Sequence, residues 1–269
     1  PDLVLLAVKT QDVEGACREI QPFVQGVPVM TLQNGMRSDD MAASFLGEEN
    51  IISGVVLFNA SFMKPGCVTY GVEGGLLIGE AFQKNGRRVK EIAAVLGKAV
   101  KTEISGNIQG VRWTKLLVNV LGNGVEAMTG MSFGDCMRYP SVRRAGVFIL
   151  REAFEVGEKA GVRFEPLPRL PMAFLKFLVK SPTALASLVF RLTMSGMKTR
   201  SSTLQSLHKG RPTEIDYLNG EIVAQAKKEN IAAPYNARVV ELVHEVERTG
   251  RFFSPSDLEK RFFGAVQES

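Results

Sequence analysis

The chain has 269 residues, 45% of them hydrophobic and 23% charged, with 33 basic against 28 acidic side chains and a net charge of +5. These proportions fit a globular protein with genuine cores in one large or two modest domains, and no lysine or arginine block marks a nucleic-acid surface. An anionic small molecule suits the charge equally well. Three cysteines, Cys17, Cys67 and Cys136, are too few and too far apart for a disulfide framework or a metal cluster, which points to a reducing compartment such as the cytoplasm.

Asp2-Leu3-Val4-Leu5-Leu6-Ala7-Val8 reads as a buried strand directly after Pro1. No basic stretch followed by an apolar run suggests a signal peptide. A strand this early has nothing before it to pair with, so a further segment is expected ahead of Pro1. Short β-branched runs then alternate with helical periodicity: helix over 12–23, strand over 27–32 ending at Gln33-Asn34-Gly35, helix over 38–46 and strand over 51–58. Residues 67–70 and 76–78, separated by Gly71, Gly74 and Gly75, predict an antiparallel hairpin. A helix over 89–97 and a strand over 99–104 close the region.

After Ser105-Gly106-Asn107 the pattern turns helical, over 108–128, 141–160, 172–179, 184–209 with breaks, 214–230 and 236–247. Gly161 predicts a helix C-cap and Gly220 a closely packed position inside a helix. Pro166, Pro168 and Pro171 mark an irregular connector. The greasy stretch from Met172 to Met197 is interrupted by Lys176, Lys180, Pro182 and Arg191, so packed helices are expected there and no membrane span. The expected architecture is a partial doubly wound α/β domain over 1–106 and an all-helical domain over 107–269.

The helix beginning near Asn107 contains Lys115, Asn119 and Asn123, four residues apart. At about 100° per residue they form one slowly drifting stripe among leucines and valines. Buried without partners, each polar group would cost about 1–3 kcal/mol, so the stripe must meet water, protein partners or a ligand. Partial burial would lower the pKa of Lys115 and let it donate a proton near neutrality, while a snorkelling surface lysine is the alternative. Lys9 and Asn34 follow predicted parallel strands, at the carboxyl ends where open α/β sheets bind ligands, although loops and Asn-Gly turns are also common there. Downstream, Thr213 is placed to cap a helix with Asp216 at its third position, and Glu214 would suit the first turn.

Ala7-Val8-Lys9, Leu32-Gln33-Asn34-Gly35, Trp113-Thr114-Lys115-Leu116-Leu117-Val118-Asn119 and Arg211-Pro212-Thr213-Glu214-Ile215-Asp216-Tyr217-Leu218-Asn219-Gly220 resemble, in order, the four signature blocks of ketopantoate reductases. The resemblance runs from Asp2 to about Glu247. It implies a Rossmann-like domain followed by a helical domain of the 6-phosphogluconate dehydrogenase C-terminal type. It further implies NADPH-dependent reduction of 2-dehydropantoate, a small-molecule 2-oxoacid, with Lys115 as the general acid. Glu214 would hold the substrate hydroxyl or reacting oxygen and orient the lysine. Asn119, Asn123 and Ser202 would grip the substrate's polar groups, while Asn34 would bridge cofactor and substrate and Lys9 would lie near the nicotinamide end of the cofactor. No metal, nucleic acid or membrane is implied, and a homodimer is compatible with the resemblance.

Two departures qualify this. The chain has no Gly-x-Gly-x-x-Gly turn between a strand and a helix, so NADPH over NADH is a family inference. Where relatives carry Pro-Asn-Gly-Glu, this sequence reads Ser132-Phe133-Gly134-Asp135, which replaces an amide by a phenyl ring and opens the alternative of another branched 2-oxoacid. A helical interaction module without catalysis is a further alternative. Cys136 reads as a buried thiol, and neither His208 nor His244 falls in a motif.

Overall fold

A computed structural model describes residues 1–72, 74–168, 170–197 and 200–264. They form two compact units, Pro1–Trp113 and Thr114–Ser269. The first unit contains β1 (Val4–Leu6), α1 (Val13–Ile20), β2 (Val29–Thr31), α2 (Ser38–Leu46), β3 (Ile51–Val56), β4 (Asn59–Lys64), β5 (Cys67–Val72), β6 (Leu76–Glu80), α3 (Arg87–Leu96) and β7 (Thr102–Ile104). Five of the strands make one sheet in the order β1-β2-β3-β6-β7. β1, β2 and β3 run parallel, β6 is antiparallel to β3, and β7 is parallel to β6.

Alternation along the strands explains why helices cover both faces. Val29 and Ile51 point to a core shared with Val13 and Cys17 of α1 and Ala42 of α2. Their neighbours Met30 and Ile52 point the other way, to Val89 and Ile92 of α3. Apolar residues at successive positions are what a strand buried on both sides requires.

The expected hairpin between 67–70 and 76–78 is replaced by a different pairing. β5 pairs with β4 in a separate two-stranded ribbon, and β6 joins the main sheet beside β3. Every residue of β6 is buried, whereas Val68 and Tyr70 of β5 are more than half exposed, so β6 gains far more from the central sheet than a two-stranded ribbon offers. The glycines between them serve a close approach: a Cβ on Gly74 would lie 2.1 Å from the Leu57 carbonyl oxygen.

The long helix α4 (Ile108–Thr129) contains the boundary between the two units. The helical unit continues with α5 (Phe133–Cys136), α6 (Pro140–Lys159), α7 (Met172–Lys180), α8 (Thr183–Met194), α9 (Ser202–His208), α10 (Asn219–Lys228), α11 (Pro234–Thr249) and α12 (Pro255–Gly264). Its hub is α6, which packs against α7, α8, α10, α11 and α12 and buries residues around much of its circumference, from Ala145 and Val147 to Ile149, Ala153 and Phe154. Gly161 ends that helix as expected, with a φ of 70° and the Val162 N–H donating 3.0 Å to the Gly157 carbonyl.

The helix expected over 214–230 starts late. A 3-10 turn at Ile215–Tyr217 and an irregular Leu218 precede α10, so Gly220 lies in its first turn, where an added Cβ meets nothing closer than 3.6 Å. The greasy stretch is two helices, α7 and α8, separated at Ser181-Pro182; residues 198 and 199 beyond them lie outside the described residues. Among the described residues no helix is long and apolar enough to cross a membrane.

Gly134 in α5 packs directly on backbone. Its N–H donates 3.1 Å to the Met197 carbonyl, and a Cβ there would stand 2.2 Å from the same oxygen. Since no flexible side-chain end can swing away, Gly134→Ala is expected to cost about 1–3 kcal/mol of stability. Thermal melting tests this, and an unchanged Tm would show that the 195–197 backbone yields.

Candidate active site

In the sheet unit, the carboxyl ends of β1 and β2 are joined by side chains from the loops that follow them. The Gln33 amide donates to the carbonyls of Leu6 (2.8 Å) and Val8 (2.9 Å), and the Thr10 hydroxyl donates to the Asn34 carbonyl (3.3 Å). Lys9 and Asn34, both partly buried, therefore stand on adjacent, mutually bonded loops at the sheet edge. Gly35 has a φ of 85°, the left-handed conformation that makes the Asn-Gly turn.

Beneath that turn lies a buried ion pair that no sequence motif marks. Arg112, in the first turns of α4, is paired with Asp39 of α2, and the two residues are 4% and 1% exposed. The guanidinium also donates to the Gly35 carbonyl (2.8 and 3.2 Å), Ser38 Oγ (2.9 Å) and Ser53 Oγ (3.0 Å). Asp39 in turn accepts from Thr31 Oγ1 (2.5 Å) and Gln109 Nε2 (3.2 Å). The available signal was a charged residue in the otherwise apolar run Val111–Trp113.

In the helical unit, Lys115 and Asn119 of α4 are partly buried and Asn123 is buried. The Asn123 side-chain oxygen accepts from Thr203 Oγ1 (2.7 Å) and the Thr203 N–H (3.4 Å), while its amide donates to the Asn119 carbonyl (3.0 Å). The stripe thus meets the start of α9, where Ser202 is exposed and Ser201 Oγ caps the helix through the Leu204 N–H (3.2 Å). Three residues beyond Asn123 the same face carries Glu126, 2% exposed, whose carboxylate accepts the Ser201 N–H at 2.5 Å. Burial pushes the Glu126 carboxyl up to about 7, against the hydrogen bonds from Ser201 and Phe133 and the charge of Arg200. The spacing of four that links Lys115, Asn119 and Asn123 passes it by, because Glu126 stands three residues on.

Phe133 is buried, its ring 4.0 Å from where a Cβ of Gly122 would sit. Cys136 is also buried, 3.2 Å from Thr129 Oγ1, and desolvation pushes its thiol up to about 12, so it stays protonated.

Glu214 is buried immediately ahead of the 3-10 turn. The expected capping pair is divided differently: the Ile215 N–H donates to Thr213 Oγ1 (3.2 Å), while Asp216 turns to His244 Nε2 (3.0 Å) of α11. Glu247 of α11 accepts the Thr213 N–H (2.8 Å) and bonds His244 Nδ1 (2.7 Å). The amide of Asn219 donates to the Val120 carbonyl (3.2 Å) and to Asn236 Oδ1 (2.9 Å), which fastens the Glu214 block to the turn of α4 that carries Asn119. Lys115, Asn119, Asn123, Ser202 and Glu214 all belong to this one unit; Lys9 and Asn34 belong to the other.

Residues 1–83 match the family described as ketopantoate reductase PanE/ApbA, and residues 107–247 match its C-terminal part. The chain belongs to the ketopantoate reductase family. That membership makes it an oxidoreductase. Among curated relatives, the 2-dehydropantoate 2-reductase of Halobacterium salinarum is 28% identical over 93% of this chain and 77% of its own length. That of Pyrococcus horikoshii is 26% identical over the same shares. Among solved structures, a D-mandelate dehydrogenase in complex with NADH and anilino(oxo)acetate is 25% identical and has a TM-score of 0.79, covering 93% of this chain and 77% of that one.

Three variants test the buried ionisable groups. Arg112→Met leaves Asp39 buried without its counter-charge and is expected to cost about 3–5 kcal/mol in denaturant unfolding, whereas Arg112→Met combined with Asp39→Leu should cost less. A single-variant loss below about 1 kcal/mol would remove the pair from its structural role. For Glu126 the folded pKa of about 7 exceeds the usual 4.5. Between those values the folded state keeps a proton that the unfolded chain has released, so stability falls as pH rises from 4.5 to about 7. Glu126→Gln should abolish that slope, worth on the order of 3 kcal/mol at about 1.4 kcal/mol per tenfold change in proton affinity. Tm measured across this range in both proteins decides it.

Proposed function

We propose that the protein reduces 2-dehydropantoate to (R)-pantoate, the reductive step toward pantothenate, with residues 1–106 serving the dinucleotide and 107–269 the substrate. The observation carrying this reading is the convergence, in one helical unit, of the Lys115 stripe with the buried Glu214 block, tied together through Asn219 and Val120. A small hydroxy-acid needs every polar group hydrogen-bonded once enclosed, and an ammonium, a carboxylate, amides and a hydroxyl meet that need.

In this reading Lys115 polarises the C2 carbonyl and gives its Nζ proton to the oxygen as negative charge develops there. Glu214 accepts from the substrate hydroxyl and orients the lysine. Asn119 and Ser202 bind the substrate's remaining polar groups; Asn123 assists through an amide that also fixes the start of α9. At the sheet edge an ammonium and a carboxamide, Lys9 and Asn34, fit a polar dinucleotide: Lys9 is assigned to the nicotinamide end of NADPH, and Asn34 to a bridge between cofactor and substrate. When bound, that cofactor supplies the hydride.

Phe133 and the similarity to a D-mandelate dehydrogenase favour a second reading, in which the substrate is another branched or aryl 2-oxoacid and the cofactor is NADH. Steady-state oxidation of NADPH and NADH with 2-dehydropantoate and a panel of 2-oxoacids separates the two. Absence of turnover on all of them would sink both. With the preferred substrate, Lys115→Ala should lower kcat by at least ~10²-fold, the usual scale for a lost general acid, and a change of only a few-fold would strip Lys115 of that role.

A further inference from the structure

The turn that carries Glu214 is gripped on both sides by α11. Glu247 takes the Thr213 N–H, and His244 takes Asp216, so the residue before Glu214 and the residue two after it are both anchored. His244 joins the two anchors because its ring nitrogens face a carboxylate on each side, Asp216 at 3.0 Å and Glu247 at 2.7 Å. A neutral imidazole has one N–H and one lone pair, so it can donate to only one of them; the imidazolium donates to both. The ring is 39% exposed and exchanges protons freely with water.

We propose that His244 is a positioning residue for Glu214: its imidazolium clasps the 213–216 turn to α11 and makes the placement of that carboxylate depend on pH. This rests on the reading of Glu214 as a substrate-binding carboxylate. The charged groups facing the ring are Glu247 from its own helix and Asp216 from the 3-10 turn. Burial acts to lower the His244 pKa, but the hydrogen bonds and charges of these two carboxylates outweigh it, and the net shift is upward from 6.5. Glu247 moves the opposite way: the bonds from His244 and Thr213 overcome its burial and lower it. The clasp is complete below the usual histidine pKa and is lost as pH rises through the elevated folded value.

The test uses the complete protein and two variants, His244→Gln, which is neutral, and His244→Arg, which keeps a charge at every pH. Hydrogen exchange of residues 213–217, corrected for intrinsic rates, should show wild-type protection falling about tenfold between about pH 6 and about pH 9. His244→Gln should show at both pH values the lower protection that the wild type has at high pH, and His244→Arg should restore full protection without pH dependence. KM for the 2-oxoacid should follow the same pattern while kcat changes little. Protection in His244→Gln that still falls with pH as in the wild type overturns the proposal, as do superimposable KM profiles. Protection that follows His244 in a protein that reduces no 2-oxoacid supports the clasp and sinks the substrate reading instead.

Discussion

The sheet unit is organised around the buried guanidinium of Arg112. Removing two charges from water costs several kcal/mol each, and only a full set of well-placed partners offsets it. Here the fork of Arg112 reaches Asp39, Ser38, Ser53 and the Gly35 carbonyl, while Asp39 adds Thr31 and Gln109. The end of β2, the Asn-Gly turn, the start of α2, the middle of β3 and the first turns of α4 all terminate on this one cluster. None of them can shift without exposing an uncompensated charge inside the protein. The loop that presents Asn34 is tied to this cluster through the carbonyl of its neighbour Gly35.

The helical unit relies on a related device, a buried carboxylate set against the start of a helix. Glu126 receives the Ser201 N–H ahead of α9, and Glu152 of α6 receives the N–H groups of Tyr235 (2.9 Å) and Asn236 (2.7 Å) at the start of α11. Each satisfies donors that a helix leaves unpaired and sits at the positive end of the helix dipole. Burial raises the pKa of both carboxyls. The placement of Ser202 and of the Glu214 turn is thus bound to carboxyls that take up a proton at higher pH than surface acids do.

Local periodicity was enough to read α2 to the residue, α6 to within one, and the stripe of Lys115, Asn119 and Asn123, because each depends on neighbours three or four positions away. The errors arose where distant residues decide. Residues 76–80 left the expected hairpin because β3 offered a buried partner and Leu57 leaves no room at Gly74 for a side chain. The helix expected from 214 was cut at Leu218, next to an Asn219 whose amide reaches Val120 and Asn236. Arg112, Glu126 and His244 could not be matched to partners because Asp39, Ser201 and Asp216 lie 73, 75 and 28 residues away along the chain. What the sequence did convey about chemistry came from motif blocks, whereas Arg112, Glu126 and His244 lie outside them.

The two grips on α11 also limit how this protein can change length. α11 is fastened at Asn236 by Glu152 and again at His244 and Glu247 by the Glu214 turn, all within a single unbroken helix. Inserting one residue between these anchors would rotate the second by about 100° and advance it by about 1.5 Å, turning His244 and Glu247 away from Asp216 and Thr213. The segment between the anchors therefore has a set phase. Insertions and deletions that spare both grips fall outside it, as they would beyond the left-handed Gly250 that ends the helix.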